Sequence, residues 1–223
     1  MEIISRPSPN KGGTLTPRYV MLHHTASTDF GATVAYLCKR TAMVSAHFVV
    51  GKAGEVAQLV PLGVKAWHAG LGGPYKDIPA NQGNRYAIGI EIVNKGDGKD
   101  PYPEAQLAAI DALIAHLDSK VGVLPIIDHK TYAPKRKTDM SANFPLKAYQ
   151  QHRAHAPKPP TTFGAPVNRD TFLYAKRSTK SAKVRQIGAG KKVVVHSKTA
   201  TWCYVEYAHD RGYVPTSHLT IKE

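Results

Sequence analysis

Four prolines fall within residues 154–166, and this stretch limits the architecture of the chain more than any other. Proline fixes its own backbone angle and offers no N–H, so neither a helix interior nor a central strand can run through such a segment. A proline-dense run behaves instead as a semi-rigid spacer. The 223 residues are therefore expected to fold as two bodies. The expected division is a first domain over 1–155, a linker over 156–166 and a second domain over 167–223.

Before the linker, strand and helix patterns alternate. Residues 18–24 read as a buried strand, in which Tyr19, Met21 and His23 share one face and Val20, Leu22 and His24 the other. Residues 29–40 read as a helix with a narrow stripe of Val34, Leu37 and Cys38. Residues 46–50 and 55–60 read as a hairpin around the turn at 52–54. A Gly/Pro/Asn-rich loop to Asn84 follows, of a length that is often functional. Residues 86–93 form a strand that sets Glu91 among apolar neighbours, where a carboxylate is costly unless it is paired or has a task. The clearest helix is 103–121, with Leu107, Ile110, Ile114, Leu117 and Val121 at steps of three and four. Pro103 suits its first turn and Gly122 its end. Residues 124–127 are a strand leading into an irregular basic loop, 128–139, and 145–153 a short helix. Residues 1–17 read as a loosely packed arm. The first domain is thus expected to be α/β, a mixed central sheet flanked by helices.

After the linker the pattern changes to short strands at 172–176, 191–196, 202–207 and 212–214, which suggests a small all-β barrel. Alternation buries Cys203, Val205 and Tyr207 and turns Trp202 and Tyr204 outward.

The net charge of +14 calls for an anionic partner. It is unevenly spread: residues 165–223 hold 11 Lys+Arg against 4 Asp+Glu, as large an excess as the rest of the chain carries. No run of eighteen apolar residues marks a membrane helix. The opening Met-Glu-Ile-Ile-Ser-Arg-Pro shows no basic region followed by an apolar core, so synthesis in the cytoplasm without a signal peptide is expected. Two distant cysteines, Cys38 and Cys203, are too few for a disulfide framework and read as free thiols. No nucleic-acid recognition motif accompanies the charge, and no specific nucleic acid is expected as a partner.

Histidine and aspartate can both bind a divalent metal, and His23, His129 and Asp139 are the candidates here. Two imidazoles and a carboxylate with an open fourth position form a catalytic zinc pattern. Eleven histidines make chance groupings easy, and a solvated basic loop around His129 is the competing reading. His116, His152 and His155 read as ordinary surface or helix residues, and His47 as structural.

Several motifs occur in a telling order. They are His23-His24-Thr25-Ala26, Ser45-Ala46-His47-Phe48, Ala66-Trp67-His68-Ala69-Gly70, Ile88-Gly89-Ile90-Glu91, and His129 followed by Lys137-Thr138-Asp139. Together they resemble the zinc-dependent N-acetylmuramoyl-L-alanine amidases of the amidase-2 family, which also contains the peptidoglycan recognition proteins. The resemblance covers roughly residues 15–155. It implies Zn²⁺ held by His23, His129 and Asp139, a catalytic Glu91, and Lys137 near the metal. The implied scissile bond is the amide between the lactyl group of N-acetylmuramic acid and L-alanine. It also implies a substrate groove bordered by Trp67 and His68, with His24 beside it. Two departures stand out. Ala46 occupies the place of a tyrosine used by phage lysozyme-type members, so the chain resembles the Glu-dependent branch. Met140-Ser141 replaces the usual Pro-Gly after the ligand aspartate.

The C-terminal segment resembles a bacterial SH3-like domain through Trp202-Cys203-Tyr204-Val205-Glu206-Tyr207 and Gly212-Tyr213-Val214-Pro215. This implies a wall-binding module, with Trp202 and Tyr204 as candidate contacts. The combined expectation is a monomeric phage endolysin acting on peptidoglycan after release at host lysis, with its basic domain near anionic envelope polymers. The alternatives are a non-catalytic peptidoglycan-binding protein and a cytosolic amidase recycling anhydro-muropeptides.

Overall fold

The computed structural model describes residues 1–154, 163–208 and 210–221, and contains two compact units, Met1–Pro157 and Lys158–Glu223. Residues 156–162 of the expected linker and His155 lie outside the described residues, as does the side chain of His152.

The first unit contains strands β1 (Ile4–Ser5), β2 (Lys11–Thr14), β3 (Tyr19–His24), β4 (Phe48–Val50), β5 (Val56–Gln58), β6 (Val64–Ala66), β7 (Ala87–Ile92) and β8 (Ile126–Asp128). Its helices are α1 (Phe30–Cys38), α2 (Gly83–Tyr86), α3 (Glu104–Val121), α4 (His129–Tyr132) and α5 (Leu146–Ala154). Six strands form a mixed sheet in the order β1-β5-β4-β7-β3-β8, and β2 pairs with β6. The neighbours β4, β7, β3 and β8 all run parallel, so their C-terminal ends meet along one edge. In open α/β sheets this is the edge where ligands bind.

Alternation along β3 and β7 divides the core into layers. Val20, Leu22, Ile88, Ile90 and Ile92 pack with Ile110, Leu113 and Leu117 of α3 on one face. Tyr19, Met21 and Ala87 face the other way, toward Ile127 and Tyr132, and Val34 and Leu37 of α1 cover Val49 and Ala57. The buried stripe of α3 is rotated from the expected one. Gln106 is fully buried, and its amide donates to the Val93 carbonyl at 2.9 Å.

Three expectations for this unit are corrected. The N-terminal segment is not a loose arm. β1 pairs in register with β5, and Ser8 and Asn10, each 1% exposed, hydrogen-bond the carbonyls of Leu37 in the last turn of α1 and of Lys39 and Val44 after it. Residues 128–139 do not start as an irregular loop, because Asp128 caps the helical turn α4 by accepting from the Thr131 N–H at 2.9 Å. The glycine-rich loop at 70–84 serves the scaffold. A Cβ on Gly72 or Gly83 would come within 2.8 Å of the buried Tyr132 ring, whose hydroxyl accepts from Gly83 N–H at 2.9 Å.

The second unit is a six-stranded antiparallel sheet. It comprises β9 (Phe163–Pro166), β10 (Thr171–Tyr174), β11 (Lys183–Ile187), β12 (Lys192–Lys198), β13 (Trp202–Tyr207) and β14 (Asp210–Pro215), in the order β11-β10-β14-β13-β12-β9. Two strands exceed the sequence expectation. Phe163–Pro166 was assigned to the linker, yet it pairs with β12 because Ala165 and the following Val167 belong to the core. Lys183–Ile187 was hidden by its charges, since only Ile187 is buried. Cys203 and Val205 point inward, and both cysteines of the chain are free.

Candidate active site

The parallel edge of the first unit carries the candidate ligands. His23 lies near the end of β3, opposite Glu91 of β7 in the strand register, so the two share a face one strand apart. β8 ends at Asp128, and His129 opens α4. The chain then turns back, and the Lys130 N–H donates to the Asp139 carbonyl at 2.8 Å. His23 Nδ1 and His129 Nδ1 are 2.9 Å apart, and each lies 3.2 Å from Asp139 Oδ2. All three residues are buried.

The partners of these rings assign their tautomers. His68 Nε2–H donates to the Ala87 carbonyl at 3.1 Å, which leaves His68 Nδ1 as an acceptor for His23 Nε2–H at 3.0 Å. His129 Nε2–H donates to the Ala69 carbonyl at 2.8 Å. Both facing Nδ1 atoms therefore present lone pairs, to each other and to a carboxylate oxygen. Three electron-rich atoms crowded this way repel unless a cation sits among them. Ligand bonds of 2.0–2.1 Å in a tetrahedron would space donors by about 3.3 Å, close to the observed separations. The residues fit a divalent metal. Burial lowers the pKa of His23 to about 4, against the pull of Asp139, so the ring is neutral and ligand-ready at pH 7.

His68 and Gly89 are a layer that the sequence did not reveal. His68 lines the cavity, but 9% exposure and its bond to His23 make it a support for the ligand rather than an open groove wall. Gly89 makes room for it, since a Cβ there would lie 2.5 Å from the ring. His47 is fully buried, accepting from Gly89 N–H and donating to the Val64 carbonyl, both at 3.0 Å. Arg136 also holds scaffold, donating to the Ala69 carbonyl at 2.7 Å and to that of Leu71 at 2.6 Å.

The cluster opens into a cleft of about 660 Å³, within the range for small-ligand sites. Its walls include His24, Trp67, Glu91, Arg136 and Lys137 on the site side, with Tyr36 of α1 and Val44 after it. Burial raises the pKa of Glu91 to about 8, with Asp139 adding to the effect and Lys137 opposing it. A bound dication would draw it back down. His24 points away from His23 along the strand yet reaches the cleft wall, its ring held against Gly96.

In the second unit Trp202 and Tyr204 are partly exposed on the outer face of β13. Tyr204 stands opposite Tyr213 with ring centroids 5.1 Å apart, and the Arg177 guanidinium lies 5.5 Å from the Tyr213 ring.

A mixed sheet that gathers two imidazoles and a carboxylate at its parallel strand ends, with a further carboxylate one strand away, defines an α/β domain built around a candidate metal centre. Residues 13–142, more than half of the chain, match the family described as N-acetylmuramoyl-L-alanine amidase, and the chain belongs to that family. Residues 169–220 match the bacterial SH3 domain. The chain is 33% identical over 129 residues to the N-acetylmuramoyl-L-alanine amidase XlyA of Bacillus subtilis, covering 56% of this chain and 40% of that one. It is 34% identical over 136 residues to the 1,6-anhydro-N-acetylmuramyl-L-alanine amidase AmpD of Enterobacter cloacae, covering 57% and 61%. The chain thus spans about half the length of these relatives. The solved complex of the amidase AmiD from E. coli with anhydro-N-acetylmuramic acid-L-Ala-D-gamma-Glu-L-Lys aligns with a TM-score of 0.52 and 28% identity, over 65% of this chain and 61% of that one.

Proposed function

We propose that the first unit is a zinc-dependent amidase cleaving the bond between the lactyl group of N-acetylmuramic acid and L-alanine in peptidoglycan. The observation that carries this reading is the convergence of two unprotonated imidazole nitrogens and the Asp139 carboxylate beside Glu91, at the floor of an open cleft. The family and the AmiD complex point to the same bond. Zinc bound there would polarise the amide carbonyl and acidify a water molecule.

The remaining work falls to side chains. Glu91, on the same sheet face as His23, accepts a proton from the attacking water and returns it to the alanine nitrogen as the C–N bond breaks. Burial raises its pKa and a bound dication would lower it, and a base that must later return the proton needs both influences. Lys137, on the cleft wall, offsets the negative charge that develops on the carbonyl oxygen. Trp67 and His24 contact the substrate flanking the bond.

The second unit retains the enzyme on the wall, with Trp202 and Tyr204 as its contact residues and its positive charge holding it near anionic envelope polymers. The joint reading is a monomeric phage endolysin that acts after release at host lysis. The test is digestion of purified sacculi, read as new L-alanine N-termini. Zinc-dependent release is expected, and its absence overturns the proposal.

The similarity to AmpD favours a second reading, cleavage of soluble anhydro-muropeptides. Turnover of soluble fragments with intact sacculi untouched would establish it. A purely binding protein is the outcome if sacculi are bound but never cut.

A further inference from the structure

Asp128 is the last residue of β8, directly before His129, and is 6% exposed. A buried carboxylate is costly unless its oxygens are occupied. Its two oxygens go to two different segments. Oδ1 accepts from the Thr131 N–H at 2.9 Å, in the turn that begins with His129. Oδ2 accepts from the Met140 N–H at 3.3 Å, immediately after Asp139. One side chain therefore ties together the two segments that bring ligands to the same point.

Met140 explains why such a tie is needed. A proline at this place would bring no N–H. Methionine brings one into a position that is 7% exposed, where water cannot satisfy it. We propose that Asp128 is a positioning residue of the metal site, its carboxylate fixing His129 through Thr131 and Asp139 through Met140. The proposal rests on the reading of His23, His129 and Asp139 as metal ligands.

Asparagine at 128 has one acceptor oxygen and can serve one segment only; alanine serves neither. The experiment measures zinc affinity of the full chain by competition with a chromophoric chelator. Failure of the parent to bind zinc would sink the metal reading itself, whatever Asp128 does. With a zinc-binding parent, D128N should weaken affinity about tenfold and D128A up to about a hundredfold. In an M140P background, which has no N–H to satisfy, D128N should cost less than about twofold. Equal cost of D128N in both backgrounds, or no cost in the parent, overturns the proposal. Amide exchange of metal-free protein gives a readout independent of M140P folding. D128N should speed exchange at Met140 about tenfold, and an unchanged rate overturns the proposal as well.

Discussion

In the first unit the decisive side chains are buried: His23 and His129 are each 1% exposed and Asp139 is 7% exposed. In the second unit the candidate contacts, Trp202 and Tyr204, stay partly in water and rest on the rings of Tyr174 and Tyr213. The first arrangement is held by a chain of hydrogen bonds that ends on the Ala87 and Ala69 carbonyls. Such bonds are strong in a low-dielectric interior and costly to leave unmade. The second uses edge-on and tilted ring contacts, which tolerate small shifts. Cutting a bond requires atoms fixed within about half an ångström, whereas adhesion to a repeating polymer does not. On the proposed reading the chain meets the two demands with opposite degrees of burial.

The strongest way to break this comparison is to remove chemistry from one unit and watch the other. E91Q keeps the size of the side chain and loses its basicity. Its rate of L-alanine N-terminus release should fall by about 10²–10⁴-fold. Pelleting with sacculi should not change, because retention is assigned to the second unit. Loss of both together would mean that the cleft, and not the aromatic face, supplies the adhesion.

Acid should separate the units next. Burial lowers the pKa of His47 to about 4. Between pH 6.5 and 4 the unfolded chain binds a proton at this ring that the folded chain refuses. Stability is therefore full above the unfolded pKa and falls as pH drops toward 4, by about 3 kcal/mol in all. The chain has two tryptophans, and Trp67 lies in the first unit and Trp202 in the second. A W202F variant followed by fluorescence thus reports the first unit, and W67F the second. The denaturant midpoint of the first unit should drop over this window, and H47Q should make the pH slope shallower without removing it, since burial lowers the pKa of His23 and His68 as well. Equal slopes in parent and H47Q would show that His47 is not the linked group.

The sheet was legible because it rests on short-range signals, whereas His23, His129 and Asp139 were singled out by the family resemblance and not by their spacing. Alternation in Tyr19–His24 alone places His23 and His24 on opposite faces, and the core follows that division. The supporting layer was not legible. Trp67 and His68 do line the cleft, but only the fold brings the His68 ring to His23, across Gly89 on β7. Asp128 looked like part of a solvated basic loop, although each of its oxygens has a backbone partner. In the second unit Lys183–Ile187 was missed since an edge strand with one buried residue has no apolar pattern to display. Sequence pattern records what is buried against solvent; it does not record which buried polar atoms meet.

That hidden layer supplies the next prediction. H68A should leave the three ligands in place yet remove the acceptor that fixes the His23 tautomer. Zinc affinity should weaken about 10–100-fold, measured against a chelator. H68Q, which can still offer an acceptor to His23, should recover part of it. A variant binding zinc as tightly as the parent would mean that packing alone orients His23.

The smallest expected effect tests the other half of the comparison. Tyr204 faces Tyr213 across β13 and β14, and its ring is only half-buried. Y204A should therefore spare the fold and weaken retention on sacculi by about tenfold, the scale at which a large aromatic contact is lost. Hydrolysis of soluble muropeptides should stay unchanged, since these need no anchoring. Salt distinguishes the aromatic contribution from that of charge. Raising ionic strength screens the basic surface of the second unit but not a stacked ring. If Tyr204 carries adhesion, the tenfold deficit of Y204A persists at high salt while both proteins bind more weakly. If the deficit vanishes with salt, adhesion rests on charge alone, and the aromatic face is packing for the sheet rather than a contact.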